Sequence, residues 1–268
     1  MKTCIICIAK MENKYIEEWV NHHLNIGFDT IFICENNNSN GESISDVINN
    51  EKVVILDYKD VKGVQPIAYT ETFLKFKNDY DWFAFIDCDE FIMIDEKYNN
   101  IKELLLEEIF NNADIIRLCP KVYNDNNKLD VENDDYSVLN RFQNEITEKN
   151  QFTYFIKSLI KGSIEFNDGH IGPFGYFYNH NLHMVNSCGK KCRGINLSSQ
   201  DLCFENIHIN HYPTKTIGEY VRQKYFRGGA NRNDPVYSNI RHFYLINEKT
   251  DEKEKYANDL IKSLTIYK

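Results

Sequence analysis

No stretch of this 268-residue chain approaches the roughly 20 consecutive apolar residues that a membrane-crossing helix needs. The apolar run near the N-terminus, Cys4 to Ala9, is also too short for the core of a secretion signal, and a charged segment follows it at once. It reads as the first strand of a fold, and export by this route is not expected. Positive charge is in deficit: 31 Lys and Arg against 40 Asp and Glu leave a net charge of −9. That argues against general nucleic-acid binding, which calls for a basic surface. A zinc-finger framework is missing too. Cys4 and Cys7 have the CxxC spacing, but a strand turns them to opposite faces and no second pair stands at finger distance. The chain shows no internal repeat and no linker.

What remains is ordinary globular composition, 42% hydrophobic and 13% aromatic, in a chain long enough to bury a large core. One domain over residues 1–268 is expected. Five of the eight cysteines (Cys4, Cys7, Cys34, Cys88, Cys119) sit in apolar runs and read as small hydrophobes of a reducing compartment. Cys188 and Cys192, in a loop near His183, are the one place where zinc enters consideration.

The first half alternates two periods. Thr3 to Ala9 is a strand. Ile16, Trp19, Val20, His23 and Leu24 then fall on one face of a helix, which Asn13 can cap and Gly27 can end. Thr30 to Cys34 is a second strand, Ser43 to Asn50 a short helix, and Val53 to Leu56 a third strand. Residues 66–78 read as helix, Trp82 to Ile86 as strand, Ile101 to Phe110 as helix and Asp114 to Leu118 as strand. This spacing predicts right-handed βαβ units on a mostly parallel sheet, with ligands beyond the carboxyl ends of the strands. Three such ends converge there: Ala9-Lys10, Glu35-Asn36, and the acidic run in "FAFIDCDEF" (83–91). The second half is less regular. Residues 123–150 read as a polar surface excursion and Phe152 to Ile160 as a returning strand. A loop-rich aromatic wall covers 165–200, Leu202 to Asn210 alternates, and helices follow at Ile217 to Phe226 and in the charged tail.

Asp87, Cys88, Asp89 and Glu90 raise a physical question, because crowded carboxylates repel and lose hydration. At a strand exit Asp87 and Asp89 can share a face and form an oxygen-rich site for Mg²⁺ or Mn²⁺, which commonly takes substrate phosphates as further ligands. A solvated acidic turn is the plainer alternative. Downstream, "IHINHYP" offers His208 and His211, either of which could join such a metal or simply sit satisfied on a strand. The stretch "TKTIGEYVRQKYFRGGANR" is locally basic, with Lys215, Arg222, Lys224, Arg227 and Arg232, and could hold a diphosphate or an anionic acceptor.

Three segments, "AKMENKYIEEWVNHHLNIGFDTIFICENN", "DWFAFIDCDEF" and "INHYPTKTIGEYVRQKYFRGG", taken in this order, resemble bacterial glycosyltransferases of the GT-A (Rossmann-like) fold in the group related to glycosyltransferase family 92. "FIKSLIK" and "DGHIG" look like that group's middle segment. The resemblance implies an α/β fold with a loop-rich C-terminal acceptor region: residues 1–120 as nucleotide-binding half, 121–248 as acceptor side and 249–268 as a terminal helix. It implies a nucleotide-sugar donor, most often UDP-linked, with Mn²⁺ (or Mg²⁺) on Asp87 and Asp89, His211 joining, and Lys10, Glu12 and Gln65 near the nucleotide. One departure stands out. Relatives tend to carry Asp-Asn-x-Ser-x-Asp after the second strand, whereas this chain has Glu35-Asn36-Asn37-Asn38-Ser39-Asn40.

The expected reaction is hexosyl transfer to a glycan hydroxyl, with inversion, in surface polysaccharide or glycolipid synthesis. Lys215 and Arg222 are expected to stabilise the departing diphosphate. A single displacement needs a base. The candidates are Glu165, Asp168, Asp201 and Glu205, with Asp168 first and Glu205 beside it. A nucleotidyltransferase is the rival enzyme, but it would show a Gly-rich loop after strand one, and Ala9 to Asn13 has no glycine. A non-catalytic carbohydrate-binding protein using Phe174 to Tyr178 is the rival of another class. The acceptor is expected to be a glycan or lipid-linked glycan, and the location cytoplasmic, with peripheral contact at the inner membrane face.

Overall fold

The computed structural model describes residues 1–148, 151–165, 171–172, 182–192, 197–227 and 239–266. The chain divides into two compact units, one of residues 1–121 and 151–211, the other of 122–150 and 212–268. The expected acceptor half, 121–248, is therefore shared between both.

In the first unit the elements follow as β1 (Thr3–Ala9), α1 (Ile16–Asn25), β2 (Thr30–Glu35), β3 (Val53–Asp57), α2 (Gln65–Phe76), β4 (Trp82–Phe85), β5 (Glu90–Ile94), α3 (Ile101–Leu105), β6 (Ile115–Leu118), β7 (Pro120–Val122), β8 (Lys157–Lys161), β9 (Met184–Asn186) and β10 (Ile207–His211). Seven strands form one sheet in the order β3-β2-β1-β4-β8-β6-β9, and β5-β10-β7 form a small second sheet. The β3-β2-β1-β4 ladder is parallel, as are β6 and β9, and β8 runs antiparallel to both its neighbours. This is the expected α/β, mostly parallel open sheet. Central strands buried on both faces are near-continuously apolar. Accordingly Cys4, Ile6, Phe32, Cys34, Phe83, Phe85, Ile115 and Ile160 share one core cluster with Ala68, Tyr69 and Phe73 of α2.

Helix α1 buries Ile16, Trp19, Val20 and His23, the face that the spacing gives. Its caps differ from expectation. Asn13 donates to the Ser43 carbonyl at 2.9 Å, and Tyr15 stands at the N-cap without a side-chain bond. Gly27 does end the helix, at φ 102°, and a Cβ there would stand 2.8 Å from Asn100 Cβ. Ser43 to Asn50 shrinks to one 3₁₀ turn, Ile44–Asp46, closed by a reciprocal Ser43–Asp46 capping box. Ile101 to Phe110 breaks into α3 and a separate turn at Glu108–Phe110.

The second unit holds α4 (Val138–Arg141), α5 (Ile217–Tyr220) running into a π-helical turn at Val221–Tyr225, α6 (Ile240–Phe243) and α7 (Asp251–Ile266). Ile217, Tyr220, Val221, Phe243 and Ala257 form its core. Buried ion pairs brace it: Arg141 with Glu219 at 2.7 Å, and Lys253 with Asp125 at 2.6 Å. No described helix is long and apolar enough to cross a membrane.

Candidate active site

Strand β4 ends at buried Phe85, and the chain passes buried Ile86 and turns through Asp87, Cys88 and Asp89 into β5. The turn closes on itself. The Asp87 amide donates to Glu90 Oε2 at 2.8 Å, and the Glu90 amide donates to the Asp87 carbonyl at 3.1 Å. Glu90 is thus pulled inward and buried at 1% exposure.

Register explains which histidine arrives. β10 pairs antiparallel with β5, and His211 lies directly opposite Glu90. Directly opposed side chains share a face of the ladder. His211 Nε2 stands 3.7 Å from Asp89 Oδ1 and 3.9 Å from Glu90 Oε1. His208, three residues earlier, faces the other side and pairs with Met93. Burial, then Lys121, lowers its pKa to about 4. Of the two histidines, His211 is the one brought beside the carboxylates.

Three ligand-type residues therefore meet: Asp89, Glu90 and His211 offer atoms within 4.8 Å of one another. Asp87 does not complete the expected aspartate pair. Its Oδ1 accepts from Gln65 Nε2 at 2.9 Å and from Tyr69 OH at 3.4 Å, and its Oδ2 accepts from Lys157. The reason is the turn, which points Asp87 back toward α2 and β8 while Asp89 faces β10. Burial raises the Glu90 carboxyl to about 8 against the pull of Lys157, and Asp87 and Asp89 push the same way as burial. Burial also works against the Lys157 ammonium, but Asp87 and Glu90 outweigh it and hold its pKa above the usual range.

The donor set fits a divalent cation. Two carboxylates and an imidazole supply hard oxygens and one borderline nitrogen, which suit Mn²⁺ somewhat better than Mg²⁺. The fit rests on a charge argument as well. Burial, and after it Asp87 and Asp89, drive Glu90 toward its neutral form, and a cation held there would oppose that drive.

The other strand ends converge as expected. Ala9 and Glu35 are paired, the Asn36 amide donates to the Ala9 carbonyl at 2.8 Å, and Cys88 Sγ donates to the Ile8 carbonyl at 3.4 Å. Lys10 is half-buried, and Glu12 is buried with its carbonyl accepting from Tyr15 and Ile16. Asn36 uses its side-chain amide on the carbonyls of Tyr58 and Val61, so it braces the loop after β3. Glu35 does likewise for its own loop, accepting from the Ile44 amide at 2.7 Å and pairing with Lys59 at 3.1 Å.

Glu205 and Asp201 are engaged with other groups. Glu205 precedes the start of β10, and His211 is its far end, so ~13 Å or more of strand separates them. Glu205 instead lines a cavity of about 480 Å³ with Cys188, Lys190, Cys203 and Phe204. Asp201 is paired with Lys190 at 3.3 Å and bonded by Ser198. Glu165 is exposed, and Asp168, Arg232 and Phe174 to Tyr178 lie outside the described residues. Arg222 grips Asp130 through both guanidinium nitrogens within the second unit, and Lys215 is buried there beside Glu219. Cys188 is disulfide-bonded to Cys203, so the considered zinc grouping with Cys192 and His183 does not form. His183 Nδ1 instead bonds the Asn112 carbonyl at 2.7 Å. Sequence reasoning missed Glu90 and Lys157 as site residues. The available signal was a lysine inside the apolar run read as a strand from Phe152 to Ile160; the strand itself, β8, begins only at Lys157.

Helix α1 holds the acidic strand in place. Trp19 Nε1 donates to the Glu90 carbonyl at 2.7 Å, His22 Nε2 bonds the Ile92 carbonyl at 2.7 Å, and the Ile92 amide donates to His23 Nε2 at 3.1 Å. The Trp-x-x-His-His spacing of α1 thus reads as the clamp on β5. A family model, glycosyltransferase family 92, matches residues 2–253. The chain belongs to glycosyltransferase family 92. The clamp and the acidic turn both lie within the matched span. No curated protein matches it in sequence. Among solved structures it is similar to the galactosyltransferase LgtC in complex with donor and acceptor sugar analogs, at 9% identity and a TM-score of 0.26. That similarity covers 43% of this chain and 46% of the LgtC chain, so the chain spans less than half the length of the structure it matches.

Proposed function

We propose that this family 92 chain transfers a sugar from a nucleotide-sugar donor, UDP-linked, to a glycan hydroxyl, with a divalent cation held by Asp89, Glu90 and His211. The observation that carries this reading is the meeting of those three side chains beyond the carboxyl end of β4, where open sheets bind ligands. The family match supports glycosyl transfer. Donor identity, metal dependence and inversion belong to the proposal.

A cation bound there would neutralise the charge that builds on the departing diphosphate. The chain's own residues do the positioning. Gln65 and Tyr69 fix the Asp87 carboxylate from α2, and Lys157 fixes it from β8. Trp19, His22 and His23 lock β5 through its backbone, so Glu90 cannot drift from His211. Lys10 and Glu12 follow β1 at the same edge, and the proposal assigns them to nucleotide contact. Asp168 is the proposed base that takes the acceptor hydroxyl proton. Transfer to a lipid-linked glycan at a membrane surface, in surface polysaccharide or glycolipid synthesis, completes the proposal.

The test is a screen of nucleotide sugars for hydrolysis with MnCl₂ and with a chelator. The reading expects one UDP-sugar to be cleaved in the presence of MnCl₂ and spared with the chelator. Cleavage of equal rate under both conditions contradicts it. Asp168→Ala should then abolish transfer while retaining donor binding, and full transfer in that variant removes Asp168 from its role.

A further inference from the structure

Lys157 is the first residue of β8, which runs antiparallel to β4. A strand that starts where its neighbour ends places its first side chain at that shared edge, here beside the acidic turn. The side chain is 2% exposed, bonded to Asp87 Oδ2, and 3.2 Å from Glu90 Oε2. The other Glu90 oxygen, Oε1, faces His211. One buried carboxylate is therefore shared between a cation built into the chain and the three-ligand cluster. Asp87, Asp89, Glu90 and Lys157 together, when ionised, carry two negative charges, the complement of one divalent ion.

We propose that Lys157 is a positioning residue, a fixed counter-ion that holds Asp87 and Glu90 in place in the metal-free protein and leaves the ionised site with the negative charge that one divalent cation neutralises. The inference rests on the reading of Asp89, Glu90 and His211 as a metal site. Burying an ammonium is costly unless it is paired and hydrogen-bonded, and removing one partner of such a pair leaves the others as uncompensated buried charge.

The experiment is thermal unfolding of wild type and Lys157→Met, each metal-free and with MnCl₂, with no nucleotide present. The metal-free variant should melt about 10 °C below wild type. MnCl₂ should raise the variant's Tm by more than it raises that of wild type, because the added cation takes over the neutralisation. A metal-free variant that melts with wild type, or equal MnCl₂ shifts in the two proteins, overturns the inference. No MnCl₂ shift in wild type overturns the metal reading itself, and this inference with it. If Lys157→Met does not fold, the double variant Lys157→Met/Glu90→Gln, which removes the carboxylate together with the ammonium, should fold and melt closer to wild type. A double variant no better than the single one shows that the lysine acts by packing rather than by charge, and also overturns the proposal.

Discussion

Single residues decide what this site can bind. His211 is the only nitrogen in the described three-ligand cluster, and its position opposite Glu90 follows from ladder register rather than from any local motif. Replacing it with Ala should weaken Mn²⁺ binding at least about tenfold, close to 1.4 kcal/mol, as read by titration calorimetry. Undiminished affinity removes His211 from the coordination set. The sequence marked Asp89 by its place at a strand exit, and His211 only through the family resemblance. It did not separate Asp87 from Asp89, since period-two alternation assumes that an extended strand continues through both. The chain instead turns at Asp87, and the turn's own hydrogen bonds send the two side chains apart. Glu90 was hidden for the same reason, as a charged residue read within a turn while it opens a buried strand.

At the level of elements, α1 and β5 form a mechanical pair. His23 Nδ1 bonds the Trp19 carbonyl while Nε2 accepts from the Ile92 amide, so the neutral ring satisfies both ends. Protonation would aim a hydrogen from Nε2 at the Ile92 N–H. Burial, and His22 after it, accordingly hold the His23 pKa well below 6.5. A base with a lowered folded pKa binds fewer protons folded than unfolded. Its contribution is therefore intact above pH 6.5 and is lost as pH falls toward the folded value, by about 1.4 kcal/mol per unit. Glu90 works in the opposite sense, so the clean measurement is a difference. Urea stability between pH 6.5 and 5.5 should fall less steeply, by about one proton, in His23→Gln than in wild type. Equal slopes would contradict the tautomer argument. Trp19→Phe should cost about 1–3 kcal/mol, because the Glu90 carbonyl is left buried without its donor. Denaturant titration reads that loss, and a value near zero would show that water reaches the carbonyl. Helix α1 was legible because its apolar spacing persists over ten residues. Strands β5, β7 and β9 were not: β5 opens on the acidic run itself, and β7 and β9 have only three residues each. β5 in particular takes its partner from more than a hundred positions away, in β10.

For the whole molecule, two compact units carry different burdens. The first holds the sheet and the acidic cluster, and the second is braced by buried ion pairs around a small apolar core. Arg141 and Glu219 are 4% and 3% exposed, and Glu219 also bonds Thr216 to cap α5. Arg141→Met should therefore cost about 3–5 kcal/mol by calorimetry, the penalty of a stranded buried carboxylate. A loss below 1 kcal/mol would mean that Glu219 is solvated in the variant. The parallel sheet was readable from strand–helix alternation in the first half. The division into units was legible only in part: polar composition marked 123–150 as an excursion with a return after it, but nothing in the sequence joined that segment to residues 212–268. The central claim is that a divalent ion at Asp89, Glu90 and His211 pins a nucleoside diphosphate at the sheet edge. Calorimetric titration of UDP into the protein, with and without MnCl₂, tests it most directly. The account predicts binding heat with MnCl₂ only, abolished in Asp89→Ala. Binding of equal strength without metal, or unchanged in Asp89→Ala, would contradict it.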